Sequence, residues 1–170
     1  DELPAGALVG TSSLRRKAQV LHRRPDLRVV EFRGNVQTRL KKLEAGTACC
    51  TFLAMAGLNR LGMACSTVTA IAPEAMLPAI AQGAIGIERR LDDVRSAALL
   101  EPIDYTPTAQ LLAAERAFLA GLEGSCETPI AGLAMHQGGQ IWLRGEILRP
   151  NGSDRLSDAQ SASVEDAAEL

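Results

Sequence analysis

The run Gly10-Thr11-Ser12-Ser13-Leu14-Arg15-Arg16 places three hydroxyls and two guanidinium groups where the apolar pair Leu8-Val9 gives way to a helical apolar pattern over residues 14–21. Thr11, Ser12 and Ser13 are helix-capping residue types, so both arginines fall in or near the first turn. A helix N-terminus is already electropositive, and a cation there costs up to about 1 kcal/mol unless something negative faces it. Free backbone N–H groups, hydroxyls and guanidinium forks at one turn suit a carboxylate or a phosphate. The competing reading bends Arg15 and Arg16 outward into water. A second chemical feature is Leu122-Glu123-Gly124-Ser125-Cys126-Glu127-Thr128-Pro129, which sets a cysteine in a glycine-bearing loop between a helix and a strand. The polar neighbours of Cys126 leave its thiol within reach of a ligand, and a thiol is a strong nucleophile. No histidine is near it in sequence, so spacing alone does not make it catalytic. Cys49, Cys50 and Cys65 read instead as small buried hydrophobes.

Three strand-then-helix units must position the arginines. The first is a strand over 7–10 and a helix over 13–24 stopped by Pro25; the second is a strand over 27–32 and a helix over 36–44 closed by Gly46. The third is a strand over 50–54 and a short helix over 57–61 closed by Gly62. Strands alternating with helices imply a parallel or mixed sheet covered on both faces, whose ligands bind beyond the carboxyl ends of the strands. Arg15 and Arg16 lie at that edge in the first unit, Arg33 and Arg39 in the second, and Arg60 a little further along in the third. Arg23, Arg24, Lys41 and Lys42 sit toward helix C-termini, where cations are favoured, and read as solvated surface.

Residues 73–86 change character and lead into an expected short apolar strand over 84–87 and a helix over 92–100 capped by Asp92. Thr106 is expected to cap a long helix with Pro107 in its first position, along which Leu111, Leu112, Glu115, Phe118, Leu119 and Leu122 recur at helical spacing. Strands over 130–135 and 140–148 form a hairpin around Gln137-Gly138-Gly139, and Asn151-Gly152 marks another tight turn. Ser163-Val164-Glu165-Asp166 resembles a capping box opening a further helix.

Composition narrows the ligand. The net charge of -2 hides a charge of +5 over residues 1–77 and -7 over 78–170, so the first half is biased toward an acidic partner. Five aromatic residues in the whole chain leave little for base stacking, which favours an acidic small molecule over nucleic acid. No apolar run is long enough to span a bilayer and no charged-then-apolar leader opens the sequence, so a soluble, unexported, cytoplasmic protein is expected, with its thiols reduced. His22 near a helix end and His136 beside a turn are isolated and read as solvated surface, and the cysteines form no CxxC pair, which argues against a metal site. Adjacent Cys49 and Cys50 should point to opposite faces of a strand.

Five blocks carry a resemblance: residues 10–16 above, Arg33-Gly34-Asn35-Val36-Gln37-Thr38-Arg39-Leu40, Leu53-Ala54-Met55-Ala56-Gly57-Leu58, Leu77-Pro78-Ala79-Ile80-Ala81-Gln82-Gly83-Ala84, and Leu122-Glu123-Gly124-Ser125-Cys126. In type and order they resemble the porphobilinogen deaminase family, also called hydroxymethylbilane synthase, over essentially the whole sequence. The resemblance implies a transferase of tetrapyrrole and heme biosynthesis that joins four porphobilinogen units into hydroxymethylbilane, losing ammonia at each addition. It implies that Cys126 carries a dipyrromethane cofactor as a thioether. Thr11, Ser12, Ser13, Arg15, Arg16, Arg33, Gln82 and Gly83 are the matching cofactor-binding positions. Arg33, Arg39, Arg60, Ala54 and Gly57 match those that hold porphobilinogen and the growing pyrrole chain. Acetate and propionate arms on every pyrrole would account for the arginines.

The implied fold is an α/β domain with a central mixed sheet covered by helices, like a lobe of a periplasmic binding protein, followed by a small α+β domain with a three-stranded antiparallel sheet. Its expected divisions are a second domain at 1–80, a segment at 81–104 returning to the first domain, and a C-terminal domain at 105–170. The family's first domain supplies a Ser-Met-Lys-Asp segment whose aspartate stabilises cationic pyrrole nitrogens, and this sequence contains no such segment. Asp92 and Asp93 match a helix-capping pair on the return segment and do not replace it. The expectation is a fragment that lacks most of the first domain and is inactive alone. Family members are typically monomeric, whereas an unpaired segment over 84–100 would leave apolar surface exposed or paired with another copy. Thr47-Ala48-Cys49-Cys50-Thr51 departs from the family, which usually has aspartate and alanine before this strand. A reading from another class is a non-catalytic anion-binding module of the periplasmic-receptor type, which also needs arginines at helix starts but no covalent group on Cys126.

Overall fold

The computed structural model describes residues 2–63, 68–123 and 128–166. β1 (Leu8–Gly10), β2 (Arg28–Val30) and β3 (Cys50–Thr51) form a sheet in the order β2-β1-β3. Both pairings are parallel, with Val9 opposite Val29 and Cys50. The central sheet expected to be mixed is therefore parallel throughout among the described residues, because a helix returns the chain to the same edge after β1 and again after β2. Those helices are α1 (Leu14–Arg23) and α2 (Val36–Glu44), and α3 (Met55–Arg60) follows β3. Ser13 caps α1, its hydroxyl accepting from Arg16 N at 3.3 Å, and Asn35 caps α2, accepting from Thr38 N at 2.9 Å.

Strand alternation decides what covers each face. Val9 clusters with Ala7, Val20 and Leu27 on the face beneath α1. Gly10, pointing the other way, lies against the buried Phe32 ring, which a Cβ at position 10 would approach to 2.6 Å. Lys42 of α2 reaches over that ring, 5.5 Å from its centroid. Cys49 is exposed while Cys50 lies half-buried against the Val9 cluster, and burial raises the Cys50 pKa.

The apolar strand expected at 84–87 does not form. Ile85 and Leu91 are 94% and 97% exposed, and no described strand lies alongside to take up the backbone N–H and C=O groups that a strand must share. Asp93, not Asp92, caps α4 (Val94–Leu100), accepting from Ser96 N at 2.9 Å. A 3-10 turn (Glu101–Ile103) leads to α5 (Thr106–Gly121), where Tyr105 occupies the cap position and Thr106 lies inside the helix. The expected Thr106 cap is thus displaced by one residue, with Pro107 still in the first turn.

β4 (Ile130–Gln137), β5 (Gln140–Leu148) and β6 (Arg155–Ala162) form an antiparallel sheet in sequence order. Gly138 and Gly139 both have positive φ, +60° and +79°, the conformation that a two-residue hairpin needs to match strand twist. α5 covers one face of the sheet, with Ala114 against Ala134, Ile141 and Leu143. The Phe118 ring fills the trough above the cross-strand pair Gly132 and Gly145. A Cβ at 145 would overlap that ring, so Gly145→Ala is expected to destabilise the protein by about 1–3 kcal/mol through overpacking. Denaturant titration checks this, and an unchanged midpoint would mean that Phe118 has room to move. Ser163 Oγ accepts from Asp166 N at 3.2 Å as a capping box should, but the helix it would open lies outside the described residues.

α1 rests on the other face of this sheet. Gly152 in the β5–β6 turn approaches α1 so closely that a Cβ would come within 2.5 Å of His22 N, and His22 Nδ1 lies 3.0 Å from Gly152 O. His22, expected as plain solvated surface, thus makes a contact between the two sheets' layers. No helix among the described residues is long and apolar enough to cross a membrane.

Candidate functional site

The carboxyl end of β1 opens into the turn that starts α1, and its three hydroxyls first build the turn. Buried Thr11 accepts from Ser13 N through Oγ1 at 3.2 Å, Ser12 Oγ accepts from Phe32 N at 2.9 Å, and Ser13 caps the helix. Each hydroxyl accepts in these bonds, so its own proton remains available to a ligand.

Neither arginine bends into water. Arg15 is buried, 8% exposed, with Nη1 donating to Leu77 O at 2.5 Å and to Gln19 Oε1 at 2.8 Å. Its Nη2 donates to Gln82 Oε1 at 3.3 Å, and its buried Nε has no partner among the described residues. Arg16 is half-buried, donates to Phe52 O at 3.2 Å and stands 6.0 Å above the Phe52 ring. Burial, reinforced by Arg16 and partly offset by Glu146, pushes the Arg15 pKa down to about 10. Burial and then the charge of Arg39 lower that of Arg16. Both remain cations at neutral pH, yet the ion pairs of the described residues belong to Arg24, Arg33, Arg149 and Arg155. Two desolvated positive charges thus face neutral partners at a helix N-terminus. An entering carboxylate would relieve that cost.

These groups border open space. Thr11, Ser12, Ser13, Arg15, Arg16, Arg33 and Gln82 line a cavity of about 840 Å³. Arg15, Arg16 and Gln82 also line an adjoining cavity of about 480 Å³ that runs past Phe52, Leu53 and Met55. Arg33 is largely exposed and paired with Glu31. The other expected ligand positions are not brought to either cavity wall. Arg39 Nε donates to Gly34 O at 2.8 Å, Arg60 is exposed near the end of α3, and Ala54 is the exposed cap residue of α3. Gly57 needs no close backbone approach, since a Cβ there would meet Val36 Cγ2 at an ordinary 3.8 Å. Gly83 has φ +92° and open space around it, so backbone conformation, not crowding, selects glycine there. Cys126 and Cys65 lie outside the described residues. Among the surface cations, Arg24 pairs with Asp26 at 2.7 Å, and Arg23 donates to Ala75 O at 2.9 Å.

The comparisons with known proteins decide the family. Residues 1–98 match the family model described as porphobilinogen deaminase, dipyromethane cofactor binding domain, and residues 109–170 match that of the porphobilinogen deaminase C-terminal domain. The chain belongs to the porphobilinogen deaminase family. A curated relative, the porphobilinogen deaminase of Paracoccus denitrificans (strain Pd 1222), is 60% identical over 169 residues, covering 99% of this chain and 54% of the relative. The chain therefore spans about half the length of that relative. A separate anion-binding module of the periplasmic-receptor type gains no support from these matches.

In this porphobilinogen deaminase family chain the cavity wall is held by residues whose supporting role shows in the sequence pattern faintly or not at all. Gln19 holds Arg15 from one side, and its spacing of four residues on the same helix was a usable signal. Glu115, buried on α5, accepts from Ala81 N at 2.6 Å and from Ala134 N at 3.0 Å. It thereby fastens the turn in which Ala81 takes φ +57° and Gln82 faces Arg15. A single acid among leucines at helical spacing was its signal. Buried Glu146 of β5 had none.

Proposed function

We propose that the parent protein is a porphobilinogen deaminase that polymerises four porphobilinogen units into hydroxymethylbilane with release of ammonia, and that this chain supplies the walls holding the pyrrole carboxylates. The observation that carries the reading is that Thr11, Ser12, Ser13, Arg15, Arg16, Arg33 and Gln82 line one cavity in a chain whose first 98 residues match a cofactor-binding domain. A dipyrromethane with acetate and propionate arms suits this lining, because the buried Arg15 Nε and two guanidinium charges, none with an acidic partner among the described residues, call for anionic oxygen. When bound, the dipyrrole supplies the primer on which chain growth begins. Arg15 and Arg16 would neutralise its carboxylates, the three hydroxyls would donate to them, and Gln82 with Gly83 would close one side. Arg39, Arg60, Ala54 and Gly57 would meet later units of the growing chain.

Attachment through Cys126 belongs to the same proposal. Its support is Thr128, two residues away, which lines the cavity together with Leu119 of α5. In domain terms, we assign 1–80 to a periplasmic-binding-protein-like second domain, 81–104 to a segment that completes the first domain, and 105–170 to the C-terminal domain. The exposed Ile85, Ile87, Leu91 and Val94 support that return, since nothing among the described residues covers them. A cytoplasmic, monomeric parent follows from the same reading.

Intact-mass measurement of the purified full-length protein tests the attachment. A mass increment equal to a dipyrromethane is expected in the wild type and none in Cys126→Ser. An active full-length protein of unmodified mass would sink the assignment.

A further inference from the structure

Arg15 faces the cavity, but the residues that decide how it faces come from another layer of the fold. Gln19 donates through Nε2 to Leu77 O at 3.0 Å and to the carboxylate of Glu146, while its Oε1 accepts from Arg15 Nη1 at 2.8 Å. Glu146 sits in the antiparallel sheet, 5% exposed, on the strand face turned toward α1. An amide can flip, presenting either its oxygen or its NH2 group; a carboxylate only accepts. Glu146 therefore holds the NH2 of Gln19 toward itself, which leaves the amide oxygen for Arg15. Its second oxygen lies 3.2 Å from Arg155 Nε, and that ion pair offsets the desolvation of the acid.

We infer that Glu146 is a positioning residue for Arg15: a buried carboxylate of the C-terminal sheet fixes the orientation of the Gln19 amide, and through it the guanidinium that receives a pyrrole carboxylate. The inference rests on the function proposed above, since the carboxylate ligand comes from that reading. The relay itself is a property of three side chains. Replacing Glu146 by glutamine keeps the volume but puts a second amide where a pure acceptor stood, so of the two acceptors that fix the Gln19 NH2 only Leu77 O is left and the hold on the oxygen that faces Arg15 is loosened. Arg155 is the built-in control, because it touches the other carboxylate oxygen of Glu146 and a lysine there keeps the charge that the buried acid needs.

The test uses the full-length protein and two readouts. In Glu146→Gln the KM for porphobilinogen is expected to rise about fivefold to tenfold with kcat within about twofold, the pattern of lost binding rather than lost chemistry. Gln19→Leu is expected to give a similar change, and the double substitution to add little, because members of one relay are not independent. Arg155→Lys, which keeps the charge beside Glu146, is expected to leave KM unchanged. The second readout is the Arg15 Nε–Hε NMR resonance, identified by its loss in Arg15→Lys, which should move in Glu146→Gln and Gln19→Leu but not in Arg155→Lys. If Glu146→Gln does not fold, Gln19→Leu reads the same relay from α1. A wild-type protein that fails to consume porphobilinogen counts against the proposed function, while the resonance still decides the relay. An unmoved resonance, or an unchanged KM beside normal wild-type turnover, overturns the inference.

Discussion

A polypeptide of these 170 residues alone is expected to consume no porphobilinogen, whereas a longer protein that adds the family's first domain turns it over. The reason lies in the sign of the charge that the cavity offers. Its walls among the described residues carry Arg15, Arg16, Lys17 and Arg33, and the acid among them, Glu31, is paired with Arg33. Such walls suit carboxylates. They do nothing for a positive charge developing on a pyrrole during loss of ammonia, and the nearby guanidinium charges raise its energy. The resemblance assigns that stabilisation to an aspartate in a Ser-Met-Lys-Asp segment, which this sequence does not contain. Removing one preorganised electrostatic partner of a transition state commonly lowers rates by about 10²–10³. Here that aspartate is missing from the sequence altogether, so the expected rate falls beneath detection. A colorimetric pyrrole assay decides it: steady consumption by the 170-residue polypeptide would mean that another carboxylate serves, and the division of labour proposed here would be wrong.

Local punctuation made much of the fold legible. Asn35 at one end and Gly46 just beyond the other bound α2 at Val36–Glu44, as the spacing predicted, because a cap and a positive-φ glycine act within a few residues. The segment over 84–87 shows what such signals omit. Its apolar pattern is real, but a strand is a relation between two backbones and the sequence of one does not supply the other. The first-turn arginines were legible as an electrostatic anomaly, and the Ser13 cap fixed their register. Where their side chains went was not legible, since the acceptors Leu77 O, Gln82 and Phe52 O arrive from 36 to 67 residues away. Arg39 and Arg60 were grouped with them by strand-end topology, which fixes a side of the sheet but not a distance. Glu146 alternates with Ile147 and Gly145 along β5 and so shares a strand face with Trp142 and Arg144. That face reads as solvent-exposed until α1 is laid across it.

Arg16→Leu in the full-length protein is expected to lower kcat/KM for porphobilinogen by about 10²-fold while changing stability by less than about 1 kcal/mol. The asymmetry follows from what Arg16 touches. Among the described residues it gives the fold one side-chain hydrogen bond, to Phe52 O, and its charge has no ion-pair partner in the first turn of α1, where a cation is unfavourable. Leucine loses that bond, keeps apolar contact with the Phe52 ring and removes the first-turn charge, so gains and losses nearly cancel in the folded chain. With a carboxylate bound they do not cancel, because the anion is left desolvated opposite an alkyl group. Arg15→Leu would be a poorer experiment: Gln19 and Gln82 both lose their donor, and stability falls together with activity. Steady-state kinetics and thermal unfolding of Arg16→Leu together separate the cases. Normal kinetics would return this residue to the surface reading, and a melting temperature that fell in step with activity would make it a structural tie rather than a ligand for the pyrrole chain.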